Sequence, residues 1–147
     1  MIKQFAFLSV IGMATLMAAP ARAQMPDPIE TRQAGQDLLA SAFGGIRAVA
    51  AAKGDVKTLE QPAKAMARWM RQFPAQFPKG SETGHDSKAT PAVWTDMAGF
   101  QKSAADFADA SDKLAVLAKA GDAEGVANQI KVVGDGCGSC HRLYRAR

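Results

Sequence analysis

The last twelve residues of the chain, GCGSCHRLYRAR (residues 136–147), contain both of its cysteines and one of its two histidines. They continue an apolar pattern that begins ten residues earlier and repeats at three- and four-residue steps, the spacing of one helix face. The members of this pattern are Val126, Ile130, Val133, Cys137, Cys140 and Tyr144. The pattern predicts that both cysteines face the interior of a helical bundle, with His141 beside them, one turn after Cys137.

Three further segments show the same spacing, which is typical of helices with one buried face. Their apolar positions are Ile29, Gln36, Leu39, Phe43, Ile46 and Ala50; Val56, Leu59, Ala63, Met66, Met70 and Phe73; and Val93, Met97, Phe100, Ala104, Phe107, Ser111, Leu114 and Ala118. No segment shows the β-branched alternation of a strand. Short first and third connections and a longer middle loop, residues 79–89, therefore predict an all-α, antiparallel up-down-up-down four-helix bundle.

Capping residues set the expected helix boundaries. The first helix is expected to begin after Asp27 and to end at Gly54, and the second to begin at Asp55. The third is expected to run unbroken over residues 91–119, until Gly121 closes it. At 1.5 Å per residue, the third helix is predicted to span about 43 Å.

The first 23 residues have the pattern of a secretory signal peptide. Lys3 precedes an apolar run of fifteen residues (5–19), and ARA (residues 21–23) is a small-x-small cleavage site. The run is short for a membrane span of about 20 residues. The sequence predicts cleavage near Ala23/Gln24, a single domain over residues 24–147, a periplasmic location and no stable membrane anchor after cleavage.

The net charge of the chain does not favour binding to nucleic acid or strong electrostatic steering of a partner. Removal of Lys3 and Arg22 takes two positive charges away, and the net charge falls from +4 to +2. No basic stripe with interleaved aromatic residues appears, so no nucleic-acid partner is expected.

The motif Cys137-Gly-Ser-Cys140-His141 is the attachment signature of c-type haem. Thiols at i and i+3 of a helix project to nearly the same side, so both can add to the vinyl groups of one porphyrin while the next imidazole reaches the iron. A thioredoxin-like redox pair would belong to a βαβ setting. A zinc site needs four ligands, and the only other histidine is the distant His85. Haem is the preferred interpretation, with a chance occurrence as the remaining alternative.

The chain resembles the class II c-type cytochromes, the cytochrome c′ and cytochrome c-556 family. The resemblance rests on the C-terminal C-x-x-C-H followed by RLYRAR, on TRQAGQDLLASAFGGI (residues 31–46) and on PAVWTDMAGF (residues 91–100). It implies one covalent haem c, with Cys137 and Cys140 as the thioether sites and His141 as the proximal iron ligand. These three residues carry the implied haem centre.

The resemblance also assigns cofactor-binding roles to the first helix. Arg32 and Gln33 match a pair that contacts the haem edge and the propionates, although Arg32 is also open to reading as a solvated surface charge. Arg145 matches a basic residue near the proximal imidazole or is a surface charge. The tryptophans 69 and 94 are expected to pack around the haem.

The distal side of the haem distinguishes members of the family. Electron carriers supply a methionine from the first helix, whereas cytochromes c′ leave the position open behind an apolar residue and bind small gases. The corresponding residue here is Gln36. It is either a polar group over the distal face of the haem or a core amide that bonds to Gln33 or to a backbone carbonyl. Three interior methionines either supply a sulfur ligand to the iron or simply fill the core; they are Met66, Met70 and Met97.

The function expected from the sequence is one-electron transfer by a periplasmic monohaem cytochrome that is not an enzyme. The alternative is five-coordinate binding of small gases such as NO and CO near Gln36. A zinc- or disulfide-based interaction module is the weaker third reading. The sequence does not identify the redox partner; the resemblance allows a homodimer.

Overall fold

The computed structural model describes residues 26–147, so the predicted signal peptide and its cleavage site lie outside it. Its helices are α1 (Pro28–Ala51), α2 (Glu60–Gln72), α3 (Ala92–Thr95), α4 (Met97–Ala120) and α5 (Ala123–Tyr144). Two 3-10 turns, Val56–Leu59 and Phe73–Gln76, flank α2. In the described range the only β pairing is one isolated bridge between Ala89 and Arg145.

The four long helices form the bundle, and α3 is a single turn that leads into α4. Helix α4 packs extensively against both α2 and α5, and α1 packs against α2. In contrast, α1 and α5 are neighbours that touch only slightly. The predicted all-α four-helix bundle is confirmed. None of the described helices combines the length and apolarity that a membrane crossing requires.

The core consists mainly of the predicted apolar positions. Side chains from all five helices pack together with essentially no exposure; they include Ile46, Met66, Val93, Leu114, Val126 and Val133. Seven of the predicted positions are only half-buried: Gln36, Phe43, Ala50, Met97, Ile130, Cys137 and Cys140. Most of these half-buried positions belong to α1 and α5, which touch least among the neighbouring long helices of the bundle.

The prediction of one unbroken third helix is wrong. The chain breaks at Asp96, whose backbone (φ −127°, ψ 53°) is not helical, and α4 starts afresh at Met97. Asp96 caps the new helix, because its Oδ1 accepts a hydrogen bond from Gly99 N at 3.2 Å. Its other carboxylate oxygen accepts from the Tyr144 hydroxyl at 2.8 Å. The break therefore allows Asp96 to form two hydrogen bonds that it would not form within an unbroken helix.

The boundary between the first two helices also differs from the prediction. Helix α1 ends at Ala51, and Lys53 rather than Gly54 takes the left-handed backbone conformation (φ 54°). Asp55 caps a 3-10 turn by accepting from Lys57 N at 2.9 Å, and the α-helix begins only at Glu60. Pro62 explains this delay, since it lacks the N–H that an α-helix running through Thr58 would need.

Candidate functional site

The two cysteines lie on α5, half-buried and packed against the core. Asp122 caps this helix by accepting from Gly125 N at 2.8 Å. Gly136 lets the helix approach α4, because a Cβ there would lie 3.3 Å from Phe107 Cδ2. The sequence prediction that both thiols turn toward the bundle interior is consistent with this placement.

The thiols are not poised for redox exchange. Both cysteines are free. Burial raises the pKa of Cys137, and burial together with the nearby Cys137 raises the pKa of Cys140 to about 11. Reactive cysteine pairs instead have lowered pKa values. The structure therefore does not favour the thioredoxin-like alternative.

A zinc centre has no support from the described residues. Within residues 26–147, no group of three or more His, Cys, Asp or Glu side chains comes together in a way that could hold a metal ion. His85 is exposed, and its Nε2 lies 3.4 Å from Asp27 Oδ2. It contributes to the surface of the middle loop rather than to the cysteine motif.

His141 faces the seam between α5 and α1. It lies seven residues after Gly134, and residues seven apart share a helix face. A Cβ at Gly134 would lie 3.8 Å from Phe43 Cζ on α1, so this face of α5 looks toward α1. His141 itself is exposed. Partial desolvation of the imidazole and the positive charge of Arg145 lower its pKa, which favours the neutral imidazole that a metal binds.

Gln36 lies across the seam from His141. It is seven residues before Phe43, on the same face of α1, and seven residues correspond to about 10 Å along a helix. Because α1 and α5 run antiparallel, moving from Phe43 to Gln36 on α1 matches moving from Gly134 to His141 on α5. By this spacing, the two side chains predicted to lie on opposite faces of a haem are expected at the same level of the bundle, on facing sides of two helices that touch only slightly overall.

The amide of Gln36 points to a sulfur atom. Its Nε2 lies 3.7 Å from Met70 Sδ on α2. Its partner is therefore neither Gln33 nor a backbone carbonyl, whereas the interpretation as an amide bonded within the bundle remains open. Sequence reasoning named Met70 only as one of three interior methionines, because nothing local in the sequence couples it to a residue 34 positions earlier.

Arg32 is buried, with 3% of its surface exposed, so the reading as a solvated surface charge is wrong. Its guanidinium lies 4.4 Å from the centroid of the Phe77 ring. Four hydrogen bonds tie it to the segment after α2: Nη1 donates to Gln76 O (3.2 Å) and Ser81 Oγ (2.9 Å), and Nη2 donates to Ser81 O (2.8 Å) and Ser87 Oγ (2.9 Å). These partners leave the Nε–H for a further acceptor.

Arg32 forms no direct ion pair with the described residues. Among residues 26–147, no carboxylate lies within ion-pairing distance of its guanidinium. Burial lowers the pKa of Arg32, and the more distant carboxylates of Asp27 and Glu82 only oppose that shift. A buried cation is normally paired, so an anionic group of a cofactor, such as a propionate, fits here. Gln33 lies one position further along α1 and donates from Nε2 to His85 O at 2.7 Å. Its amide therefore holds the same loop that Arg32 holds.

The tryptophans pack in different places. Trp94 donates from Nε1 to Phe77 O at 3.1 Å, close to Arg32. Trp69 lies against Gly35 on the α2 side of α1. Its Nε1 is the single buried side-chain nitrogen or oxygen without a hydrogen-bond partner in the described part of the chain.

The residues present fit a c-type haem. Two half-buried thiols and an imidazole with a lowered pKa lie on one helix, and a buried cation without a direct ion pair lies on another. These two helices touch only slightly. Cys137, Cys140 and His141 would hold the group on α5, with Arg32 and Gln36 on α1.

Comparison with known proteins gives consistent matches along the chain. The family described as cytochrome C′ matches residues 27–145. Cytochrome c′ of Rubrivivax gelatinosus is 33% identical over 123 residues, which cover 82% of this chain and 95% of that protein. Cytochrome c-556 of Agrobacterium fabrum is 36% identical over 129 residues, which cover 81% of each chain.

Solved structures show the same fold. A cytochrome c′ with ligand-controlled dimer dissociation matches with a TM-score of 0.77 and 30% identity, over 85% of this chain and 99% of that one. A variant of cytochrome c′ from Alcaligenes xylosoxidans in complex with nitric oxide matches with a TM-score of 0.73 and 29% identity, over 82% and 94%. Another variant of that protein, bound to carbon monoxide, has the same TM-score. The chain belongs to the cytochrome c′ family, whose members carry covalently attached haem c, and the predicted family and cofactor are thereby confirmed.

Proposed function

We propose that this protein is a periplasmic, one-electron carrier with one haem c, and that it is not an enzyme. The observation that carries the proposal is the alignment of the cysteine motif and His141 with Gln36 across a seam where α1 and α5 barely touch. The seam lies in a closed helical bundle, which changes little when an iron ion gains or loses one electron.

Each residue of the site has a separate task in this function. The bound haem supplies an iron that takes up and releases one electron. Cys137 and Cys140 would fix the group to α5 by two thioether bonds, and His141 would offer a neutral imidazole nitrogen to the iron. Arg32 holds the loop after α2 in place and would balance a propionate charge. Gln36 would lie on the opposite side of the group from His141.

The proposal is tested by covalent attachment. The protein, expressed with a haem-attachment system, should give a c-type pyridine haemochrome spectrum, and its haem should remain with the chain in acidified acetone. Replacing both Cys137 and Cys140 by serine should abolish this retention. Ser139→Ala, between them and exposed, is the matched control and should retain the haem. Loss of all haem on extraction of the wild-type protein would contradict the proposal.

Export is the second part of the proposal. It is supported by the signal-peptide pattern of residues 1–23 and by haem c attachment, which takes place outside the cytoplasm. Mass spectrometry of the protein from a periplasmic fraction should show a chain that begins at Gln24. A full-length chain in the cytoplasmic fraction would contradict it.

Gas binding is the second candidate function. It is supported by two structural relatives, the nitric oxide and carbon monoxide complexes of cytochrome c′ variants from Alcaligenes xylosoxidans. An amide is a weak ligand for haem iron compared with a thioether or an imidazole. If Gln36 alone faces the iron, the reduced protein should change its spectrum when carbon monoxide is added.

A homodimer is supported by the relative that shows ligand-controlled dimer dissociation. Sedimentation of this protein with and without carbon monoxide would test it.

A further inference from the structure

We propose that Tyr144, with Asp96 as its proton acceptor, donates one electron through the bound haem to hydrogen peroxide. The inference rests on the proposed haem function and goes beyond it, because it adds an activity of side chains that the electron carrier does not use. Peroxide needs two electrons to become water, whereas the iron of a one-electron carrier gives one. Tyr144 supplies the other, so that the protein acts as a reductant of peroxide rather than as a catalyst.

The electrons and protons of this reaction balance. The ferrous haem gives one electron and becomes ferric. Tyr144 gives the second electron and becomes a neutral phenoxyl radical, because its proton passes to the carboxylate of Asp96. With two protons from the solvent, the O–O bond of peroxide breaks and two molecules of water form.

Tyr144 shares a helix face with both cysteines of the haem motif. It lies seven residues after Cys137 and four after Cys140, and these spacings return to the same face of an α-helix. Its ring is buried, with 5% of the residue exposed, and its centroid lies 5.1 Å from that of the Phe100 ring in the core. The one tyrosine of the chain therefore lies beside the side chains that would attach the haem, shielded from solvent.

The phenol of Tyr144 is hydrogen-bonded to a base. Its hydroxyl donates to Asp96 Oδ2 at 2.8 Å, a distance suited to proton transfer. Gly99 leaves room for this contact, because a Cβ there would lie 2.6 Å from Tyr144 Oη. The hydrogen bond raises the pKa of Tyr144, so the phenol keeps its proton until it is oxidised. Asp96 is exposed and can pass the proton on to water.

In the described part of the chain, neither tryptophan has such a proton acceptor. Trp94 Nε1 donates to the backbone oxygen of Phe77 at 3.1 Å, and Trp69 Nε1 has no partner there. An oxidised indole that keeps its proton carries a positive charge. The guanidinium of Arg32, 5.8 Å from the Trp94 ring centroid, disfavours such a charge on Trp94. The unpaired electron is therefore expected on Tyr144.

Electron paramagnetic resonance of the haem-loaded protein tests the proposal. Ferrous protein, mixed without oxygen with one equivalent of hydrogen peroxide and then frozen, should show ferric haem together with a tyrosyl radical. Labelling with ring-deuterated tyrosine should narrow the radical signal, and the assignment is unambiguous because the chain has one tyrosine. Ring-deuterated tryptophan is the matched control and should leave the signal unchanged. This comparison needs no substitution.

Two substitutions separate the electron donor from the proton acceptor. Tyr144→Phe keeps the ring and removes the hydroxyl, so the radical signal should be lost. Asp96→Asn keeps a capping side chain and a hydrogen-bond acceptor for the phenol, but an amide does not take up the proton. Most of the radical signal should therefore be lost in Asp96→Asn as well, although the protein stays folded.

The proposal would be overturned by ferric haem without a radical, by ferrous haem that peroxide does not oxidise, or by a signal that responds to the tryptophan label. A wild-type radical yield in Asp96→Asn would overturn Asp96 as the proton acceptor. These outcomes differ from failure of the proposed function, in which the purified protein retains no haem on extraction.

Discussion

Gly35 lies under the indole of Trp69 and has no room for a side chain. A Cβ at this position would be 1.9 Å from Trp69 Cζ2, far closer than nonbonded atoms approach. The close contact holds α1 against α2 one residue away from Gln36. The distal side of the proposed haem site is thus fixed by the pairing of the smallest residue with the largest.

Gly35→Ala should therefore destabilise the protein, by about 1–3 kcal/mol, as expected for overpacking. Urea denaturation followed by circular dichroism measures the free energy of unfolding. Gly45→Ala is the matched control, because nothing lies within 4 Å of a Cβ there. In the middle of α1 it should stabilise by up to about 1 kcal/mol. Equal effects of the two substitutions would contradict the steric explanation.

At the scale of single residues, the sequence proposes a haem-attaching set but does not reveal partners that lie far away in the chain. Cys137, Cys140 and His141 are proposed from spacing alone, since a haem would need them close together in the chain. The acceptors of Arg32 lie 44 to 55 residues away from it. No local pattern marks such partners, so the sequence left open whether Arg32 is a surface charge.

At the scale of helices, the end of α5 is fastened to the start of α4. The Tyr144 hydroxyl donates to Asp96 Oδ2 at 2.8 Å, and Thr90 N donates to Tyr144 O at 3.0 Å. Ala146 N adds a bond to Lys88 O at 2.7 Å. These contacts begin three residues after His141, and they fix the last turn of the helix that carries the haem motif.

Asp96→Ala should loosen this junction. It removes both the cap of α4 and the acceptor of Tyr144, and loss of a helix cap costs about 0.5–2 kcal/mol. Asp96→Asn should retain most of the stability, because asparagine caps equally well and its amide can still bond the phenol. Thermal unfolding of the two variants provides the comparison. A fall for Asp96→Asn as large as for Asp96→Ala would show that the carboxylate charge, not the hydrogen bonding, matters.

The break between α3 and α4 shows why helix boundaries were less predictable than helices. Val93, Met97 and Phe100 keep the helical spacing across Asp96, so the pattern predicts continuity. The residue that changes the outcome, Tyr144, is 48 positions away. Hydrophobic spacing predicts which faces are buried; it does not contain the distant hydrogen bond that stops a helix.

At the scale of the molecule, the bundle consists of a firmly packed part and a part that a cofactor completes. Helix α4 packs extensively against α2 and α5, whereas α1 and α5 touch only slightly. The stretch of α5 that carries the haem motif also contains Gly134, Gly136 and Gly138. A glycine inside a helix costs about 1 kcal/mol relative to alanine. The sequence predicted the overall arrangement because it follows from four buried stripes, but not this unevenness of packing.

The uneven packing predicts where haem stabilises the chain. In the variant with both Cys137 and Cys140 replaced by serine, backbone amides of residues 134–144 should exchange with deuterium at least tenfold faster than in the haem-loaded protein, which corresponds to about 1.4 kcal/mol. Amides of α2 and of the middle of α4 should change little, since their contacts do not involve the haem seam. Hydrogen exchange with mass spectrometry measures both regions in one experiment.

The glycines of α5 allow a second test of why this segment is loose without haem. Gly138 tolerates a side chain, because the nearest atom to a Cβ there is the flexible end of Arg142, at 3.3 Å. Adding Gly138→Ala to the haem-free variant should therefore slow exchange in residues 134–144 again, by favouring the helix without restoring the haem. Gly136→Ala should help less, since its Cβ would press on the Phe107 ring at 3.3 Å in the packed core. If neither alanine slows exchange, the looseness of this segment comes from the missing haem contacts alone and not from the glycine content of α5.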